Sequence, residues 1–378
     1  MLDRVTEGEV ARKHHVALRG PDGALRHEEC LTREGFEGPY TILYHLGRPH
    51  AVTHERTEPR TAPAPSVRVG LKRRHFRTAR LGASGTDAVP LLSSPSVALS
   101  AWKPSGDETA YRVRADADEL LFVRSGRGLL RSGFGDLEFG ALDYVCVPKG
   151  VLHRFTWHEP GEALRIECST LGIPRQFRNA VGQLRMDAPY SHRDFRRPRF
   201  LGPLDEGIRT IHVEERTARH VLRAASSPLD VVGWDGTVYP WAFPILAFQP
   251  RVGAVHLPPT WHGTFAADGA LICSFVPRPL DFGTDAVPCP YPHTSVDIDE
   301  VLYYVSGEFG SRSGIEPGSV SLHPRGIPHG PHPGRYEASL GTTRTEEVAV
   351  MLDCRDPLTP TAAADAIEDT AYEASFAG

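Results

Sequence analysis

The sequence predicts an all-β-dominated protein built from two copies of one β module and ending in a short C-terminal helix. Three observations carry this. Glycine (36) and proline (33) make up about 18% of the 378 residues, against roughly 12% in average usage, without any low-complexity run. Between these turn formers lie short apolar stretches of strand length. The third observation is an internal repeat.

In chain order, the strand-like runs are residues 42–44, 119–123, 144–147, 271–276 and 301–305. The Pro/Thr/Arg stretch from Glu58 to Ser66 reads as a loop, and residues 362–376 read as the one helix of any length. Residues 174–230 are rich in Arg, Pro and His, with weaker periodicity. The expected organisation is an N-terminal half over 1–173, a connecting segment over 174–230 and a C-terminal half over 231–378.

Composition excludes several classes. Lys+Arg 42 against Asp+Glu 47 gives a net charge of -5, so no basic excess points to nucleic acid or to an anionic membrane. No window approaches the roughly 20 apolar residues of a membrane helix. Met1-Leu2-Asp3-Arg4 lacks the basic-then-apolar pattern of a secretory signal, and a cytoplasmic protein is expected. The cysteines at 30, 146, 168, 273, 289 and 354 form no CxxC pair and read as core residues, not a disulfide or zinc framework.

The repeat lays Arg112-Val-Arg-Ala-Asp-Ala-Asp-Glu119 through Gly126 over His293-Thr-Ser-Val-Asp-Ile-Asp-Glu300 through Gly307. In each copy the glutamate follows the first position by seven residues and the glycine follows the glutamate by seven. A second pair lays Pro148-Lys-Gly150-Val-Leu-His153 over Pro324-Arg-Gly326-Ile-Pro-His329. Self-similarity of this length marks two copies of one supersecondary unit. Each copy resembles a cupin, whose first motif runs from histidine to glutamate to glycine and whose second is PxGxxH. The resemblance implies two jelly-roll barrels, a bicupin.

In the second copy His293, Glu300 and His329 form a ligand set of two imidazoles and a carboxylate. Such a set leaves coordination positions open and suits non-heme Fe(II) and O₂. Ser295 stands where cupins carry a further histidine. In the first copy Arg112 and Arg114 occupy the positions of His293 and Ser295. A guanidinium does not ligate a metal, so Glu119 and His153 remain without a site, and Arg112 is expected to pair with Glu119. His323 and His332 flank the ligand His329 and are candidates to support it or to face substrate.

The block Ser319-Val-Ser-Leu-His-Pro-Arg-Gly-Ile-Pro-His-Gly-Pro-His-Pro-Gly334, preceded by His293 and Glu300, resembles homogentisate 1,2-dioxygenase, in particular its shorter bacterial branch. Residues 8–15, 230–236, 271–278 and 346–353 agree with it. The resemblance implies Fe(II)-dependent opening of a para-hydroquinone ring with both atoms of O₂ incorporated. It also implies a small aromatic substrate and a homo-oligomer. His293, Glu300 and His329 match the family's iron ligands, and His323 matches a histidine that contacts substrate.

A base must remove the phenolic proton, and the candidates are His323 and Asp235. Two positions depart from the family. Asp235 stands where the WxG segment of animal enzymes has an acid/base histidine, and Phe309 replaces a tyrosine that helps hold the substrate's acetate group. Trp234, Tyr304, Phe309, Ser295 and His332 are the expected substrate-facing residues, Tyr304 because it shares the strand parity of Glu300. Arg325, Arg312 or Arg251 could supply the charge that a carboxylate needs.

Other readings stay open. The substrate could be hydroquinone, methylhydroquinone, gentisate or a larger biosynthetic hydroquinone, which Phe309 and Asp235 favour. The chain could also be a non-catalytic ligand-binding bicupin, or a metal-dependent sugar-phosphate isomerase indifferent to O₂.

Overall fold

A computed structural model describes residues 2–377. Strands dominate it, and among the described residues the only α-helices are Arg335–Ala338 and Ala362–Ile367. The expectation of an all-β chain therefore holds. The sheets are open; among the described residues no sheet closes into a barrel. All the strand-like runs of the sequence lie in strands, apart from Val276 at the end of one.

Two compact units divide the chain, and each is assembled from three stretches. One comprises 1–62, 104–161 and 192–243; the other comprises 63–103, 162–191 and 244–378. Residues 174–230 are shared between them and are not all loop, since Thr210–Glu214 and Ala218–Ala224 pair as antiparallel strands.

The second unit contains a seven-stranded sheet. Its order is Leu171–Gly172, Gly263–Ala267, Ala270–Phe275, Val348–Cys354, Asp299–Ser306, Ser319–His323 and Arg74–Arg77, each pair antiparallel. Val348–Cys354 is central, and all but Asp353 of its residues are buried. A strand covered on both faces is continuously apolar and shows no alternation. Its Val350, Met351 and Leu352, with Ile272, Val301 and Leu322 beside them, form the core of this sheet. Burying each such side chain contributes ~1.5–3 kcal/mol.

The internal repeat is structural. Arg112 pairs with His153 in the first copy as His293 pairs with His329 in the second. Glu119 stands opposite Val147, and Glu300 opposite His323. The Gly150 amide donates to Arg114 O at 2.8 Å and the Gly326 amide to Ser295 O at 2.7 Å. The Lys149 and Arg325 amides donate to Asp118 and Asp299 at 2.8 and 2.9 Å.

The repeated glycines have a backbone reason. Gly126 and Gly307 hold φ of 86° and 87°. A Cβ at Gly307 would stand 2.4 Å from Glu346 O, so only glycine fits.

The C-terminal helix is shorter than the sequence suggests. Thr361 caps it by accepting from the Ala364 amide at 3.2 Å, but the helix ends at Ile367 and only a single 3-10 turn, Ala374–Phe376, follows. The break has a tertiary cause. Glu368 turns extended (φ -67°, ψ 134°), and its buried carboxylate meets Arg74, Arg68 and Lys72 at 3.3–3.6 Å. The Asp369 amide then bonds His75 O at 2.8 Å. Docking on the edge strand Arg74–Arg77 overrides the helical propensity of the alanine-rich tail.

Candidate metal centre

Glu300 lies at the start of the strand Asp299–Ser306, facing His323 at the end of Ser319–His323. The Pro324–Gly326 turn, with Gly326 at φ 76°, carries the chain back to His329. There His329 and His293 exchange backbone hydrogen bonds of 2.8 Å in both directions. His293 itself belongs to this isolated bridge and not to a strand.

Both imidazoles are oriented in the same way. His329 Nδ1 lies 3.0 Å from Ile327 O and His293 Nδ1 lies 3.3 Å from Tyr291 O. A carbonyl only accepts, so each Nδ1 carries a proton and Nε2 is the nitrogen left to bind a metal. These Nε2 atoms face Glu300, at 3.9 Å from Oε2 for His293 and 3.7 Å from Oε1 for His329. One donor atom from each of the three residues lies within 4.8 Å of the others.

The set fits a divalent metal. His329 is 2% exposed, and its Nε2 is buried without a hydrogen-bond partner. An orphaned lone pair at that depth costs ~1–3 kcal/mol, a cost that a coordinated cation removes. Burial opposes ionisation of Glu300, but His323 and His329 beside it hold its carboxyl well below the usual range. A metal ligand set needs an ionised carboxylate of this kind.

His323 is completely buried and both its nitrogens are engaged, Nδ1 with Glu300 Oε1 at 2.7 Å and Nε2 with Tyr372 OH at 3.0 Å. Burial pushes it down to about 4. Asp353, opposite Glu300 in the neighbouring strand, is pushed up to about 7 by burial and by the charge of Glu300.

Beside the metal ligands lies a cavity of about 450 Å³. Its wall includes His293, Glu300, Tyr304 and Phe309. Tyr304 and Phe309 meet edge to face at 4.8 Å, and the Tyr304 hydroxyl lies 3.1 Å from Ser321 Oγ. The other expected residues have different surroundings. The Ser295 carbonyl shapes the Gly326 turn. His332 accepts from the Ser313 amide at 2.7 Å, meets Ser375 Oγ at 3.2 Å and packs on Phe376.

Trp234 and Asp235 belong to the first unit, on the strand Val231–Gly236. Trp234 is buried between Phe134 and Tyr239. Asp235 is bound by the Arg4 guanidinium and by Thr6 at 2.8 Å, and Arg4 lowers its pKa. Of the other arginines considered, Arg325 is tied to Asp299 at 3.0 Å and Arg251 to Asp187 at 3.3 Å. In the first copy Arg112 meets Glu108 at 2.6 Å.

The cavity wall also holds His262 and His256, which the sequence did not single out, and Arg312, one of the three arginines that it did. His262 is 6% exposed, its Nδ1 is buried without a partner, and burial pushes it down to about 3, so it is neutral. His256 lies 3.7 Å from Asp281. Arg312 is buried, bonds the backbone oxygens of Gly330 and Ser311, and faces no carboxylate within 4.0 Å among the described residues. By contrast Arg278, also on the wall, is paired with Glu347 at 2.8 Å.

A protein of Saccharolobus solfataricus that carries the name of a dioxygenase is 33% identical over 377 residues, covering 98% of each chain. The chain belongs to this dioxygenase family. Homogentisate 1,2-dioxygenases of Rhizobium rhizogenes and Rhizobium etli are 26% and 27% identical over 257 and 241 residues, 64% and 60% of this chain. The chain spans only 55% and 52% of their lengths. No family model matches.

Among solved structures, a cupin 2 conserved barrel domain protein from Leptotrichia buccalis matches 75% of this chain and 96% of its own, at 8% identity and a TM-score of 0.37. A cupin-2 domain protein from Shewanella frigidimarina matches 24% of this chain and 88% of its own, at 20% identity and a TM-score of 0.23. Likenesses of that size carry no argument. No helix among the described residues is long and apolar enough to cross a membrane.

Proposed function

We propose that this chain is an Fe(II)-dependent ring-cleaving dioxygenase that acts on homogentisate or a related para-hydroquinone and incorporates both atoms of O₂. The observation that carries the proposal is the His293, Glu300 and His329 set, of which His293 and Glu300 line a cavity large enough for one aromatic ring. Two histidines and one carboxylate leave positions free for substrate and O₂. A ferrous ion bound there supplies the one-electron exchange with O₂ that a closed-shell aromatic ring lacks.

The chain's own residues do the rest. Tyr304 and Phe309 offer aromatic surface to a substrate ring. Neutral His262, its Nδ1 unpartnered, is a hydrogen-bonding group for a phenol at the cavity wall. His323 is occupied on both sides and Asp235 is occupied by Arg4. Arg312, buried and lacking a carboxylate, offers the charge that an acidic side chain on the ring needs. It supports homogentisate despite the hydroxyl lost at Phe309. The relatives named as homogentisate dioxygenases agree with the reading.

The test is O₂ uptake by anaerobically Fe(II)-loaded protein with homogentisate, hydroquinone, methylhydroquinone and gentisate, and the mass of each product. Uptake with a gain of two oxygen atoms is expected, homogentisate being the fastest. Uptake with a carboxylate-free hydroquinone alone would keep the chemistry and change the substrate. A metal-loaded protein inert to all four would favour a binding protein.

A further inference from the structure

The C-terminal segment is built into the site through His323. Tyr372 is 3% exposed and its hydroxyl lies 3.0 Å from His323 Nε2, while His323 Nδ1 lies 2.7 Å from Glu300 Oε1. The direction of the chain follows from donor chemistry. An ionised carboxylate only accepts, so Nδ1 donates to Glu300. A buried imidazole with one ring proton then has a bare lone pair at Nε2, and the phenol O–H donates to it.

We propose that Tyr372 is a positioning residue for the metal centre: its hydroxyl holds the His323 ring in place through Nε2, and His323 in turn holds the Glu300 carboxylate that binds the metal. This rests on the metal-centre reading above and adds a third layer to it.

The tail is anchored so as to hold that hydroxyl in place. The Asp369 amide bonds His75 O at 2.8 Å, and its carboxylate meets Arg77 at 2.7 Å. Arg73 grips Glu373 through two nitrogens, at 2.9 and 3.0 Å, and lies 4.0 Å over the Phe376 ring. Phe376 and His75 flank the Tyr372 ring, each with its centroid at 5.3 Å. In the first copy Val147 occupies the register position of His323, and Arg112 stands in place of the metal-binding histidine.

Losing the hydroxyl leaves His323 Nε2 buried without its partner and removes the contact that holds the ring against Glu300. Changing partners of ligating groups typically lowers metal affinity 10–100-fold.

The experiment titrates the full-length protein with Co(II) alone, following visible absorption and a competing chelator, for the wild-type chain, Tyr372→Phe and Ser375→Ala. Ser375→Ala removes a hydroxyl from the same segment without touching the chain of bonds. The expected result is a loss of about tenfold in Co(II) affinity and an altered spectrum in Tyr372→Phe, with Ser375→Ala like wild type. Tyr372→Phe with wild-type affinity and spectrum would overturn the proposal and leave the metal centre standing. Equal losses in both variants would overturn it in favour of simple tail packing. A wild-type chain that takes up no Co(II) would sink the metal centre itself, and this proposal with it.

Discussion

His293 and His329 exchange both backbone hydrogen bonds at 2.8 Å, with their rings 4.3 Å apart and inclined at 62°. A strand-like bridge of one residue pair thus brings two imidazoles from positions 36 apart in sequence to one point, and carbonyls two residues upstream turn both Nε2 atoms inward. Arg112 and His153 form the same bridge in the first copy. The two copies share a frame, and the side chains placed on it decide which can hold a metal.

That comparison suggests a substitution for which the protein supplies its own precedent. His323→Val copies Val147 and should fold, since the register and the apolar surroundings accept valine. Glu300 would lose its donor. The expected cost is ~1–3 kcal/mol of stability and a fall in metal affinity of at least about tenfold, read by denaturant unfolding and metal titration.

Arg312 offers a test of substrate charge. Arg312→Gln keeps a hydrogen-bond donor and removes the charge. KM for a carboxylated hydroquinone should rise about tenfold or more, the loss of one charge-assisted hydrogen bond of ~1.5–3 kcal/mol, with KM for unsubstituted hydroquinone little changed. Equal effects on both substrates would argue against an anion contact.

In the first unit His45 predicts a pH dependence of stability. It is 6% exposed, with Nδ1 2.7 Å from Asp230 and Nε2 3.1 Å from Glu29. Burial alone would lower its pKa, but the two carboxylates raise it to about 9 from 6.5. A pKa raised in the folded state gives stability that is complete below the unfolded value and fades as pH rises through the folded one. Up to about 3 kcal/mol should therefore be lost between pH ~6.5 and ~9, less to the extent that solvent screens the half-exposed Glu29. Urea unfolding at several pH values would show it, and His45→Gln should flatten the profile across that window.

The parts of the molecule that the sequence made legible are those written twice. Glu300, His329 and the PxG turn repeat Glu119, His153 and their own turn, so spacing alone placed them. Tyr304 followed from strand parity with Glu300. His256 and His262 were not legible, because they reach the cavity from segments outside the repeated motifs, and Arg312 was only one of three arginines between which the sequence could not choose. The tail misled for a related reason. Its alanines favour helix locally, but the attraction of Glu368 to Arg74, nearly 300 residues away in sequence, outweighs local propensity. Trp234 and Asp235 were proposed from a motif whose position in this chain is the sheet of the first unit, where Asp235 serves Arg4.

The most direct test of the central claim is the iron content of protein loaded anaerobically with Fe(II) and freed of excess metal, for the wild-type chain, His329→Ala and His153→Gln. The account predicts one tightly held Fe(II) per chain in wild type, none in His329→Ala, and one in His153→Gln. Iron retained in full by His329→Ala, or lost on changing His153, would contradict the assignment of the metal to His293, Glu300 and His329.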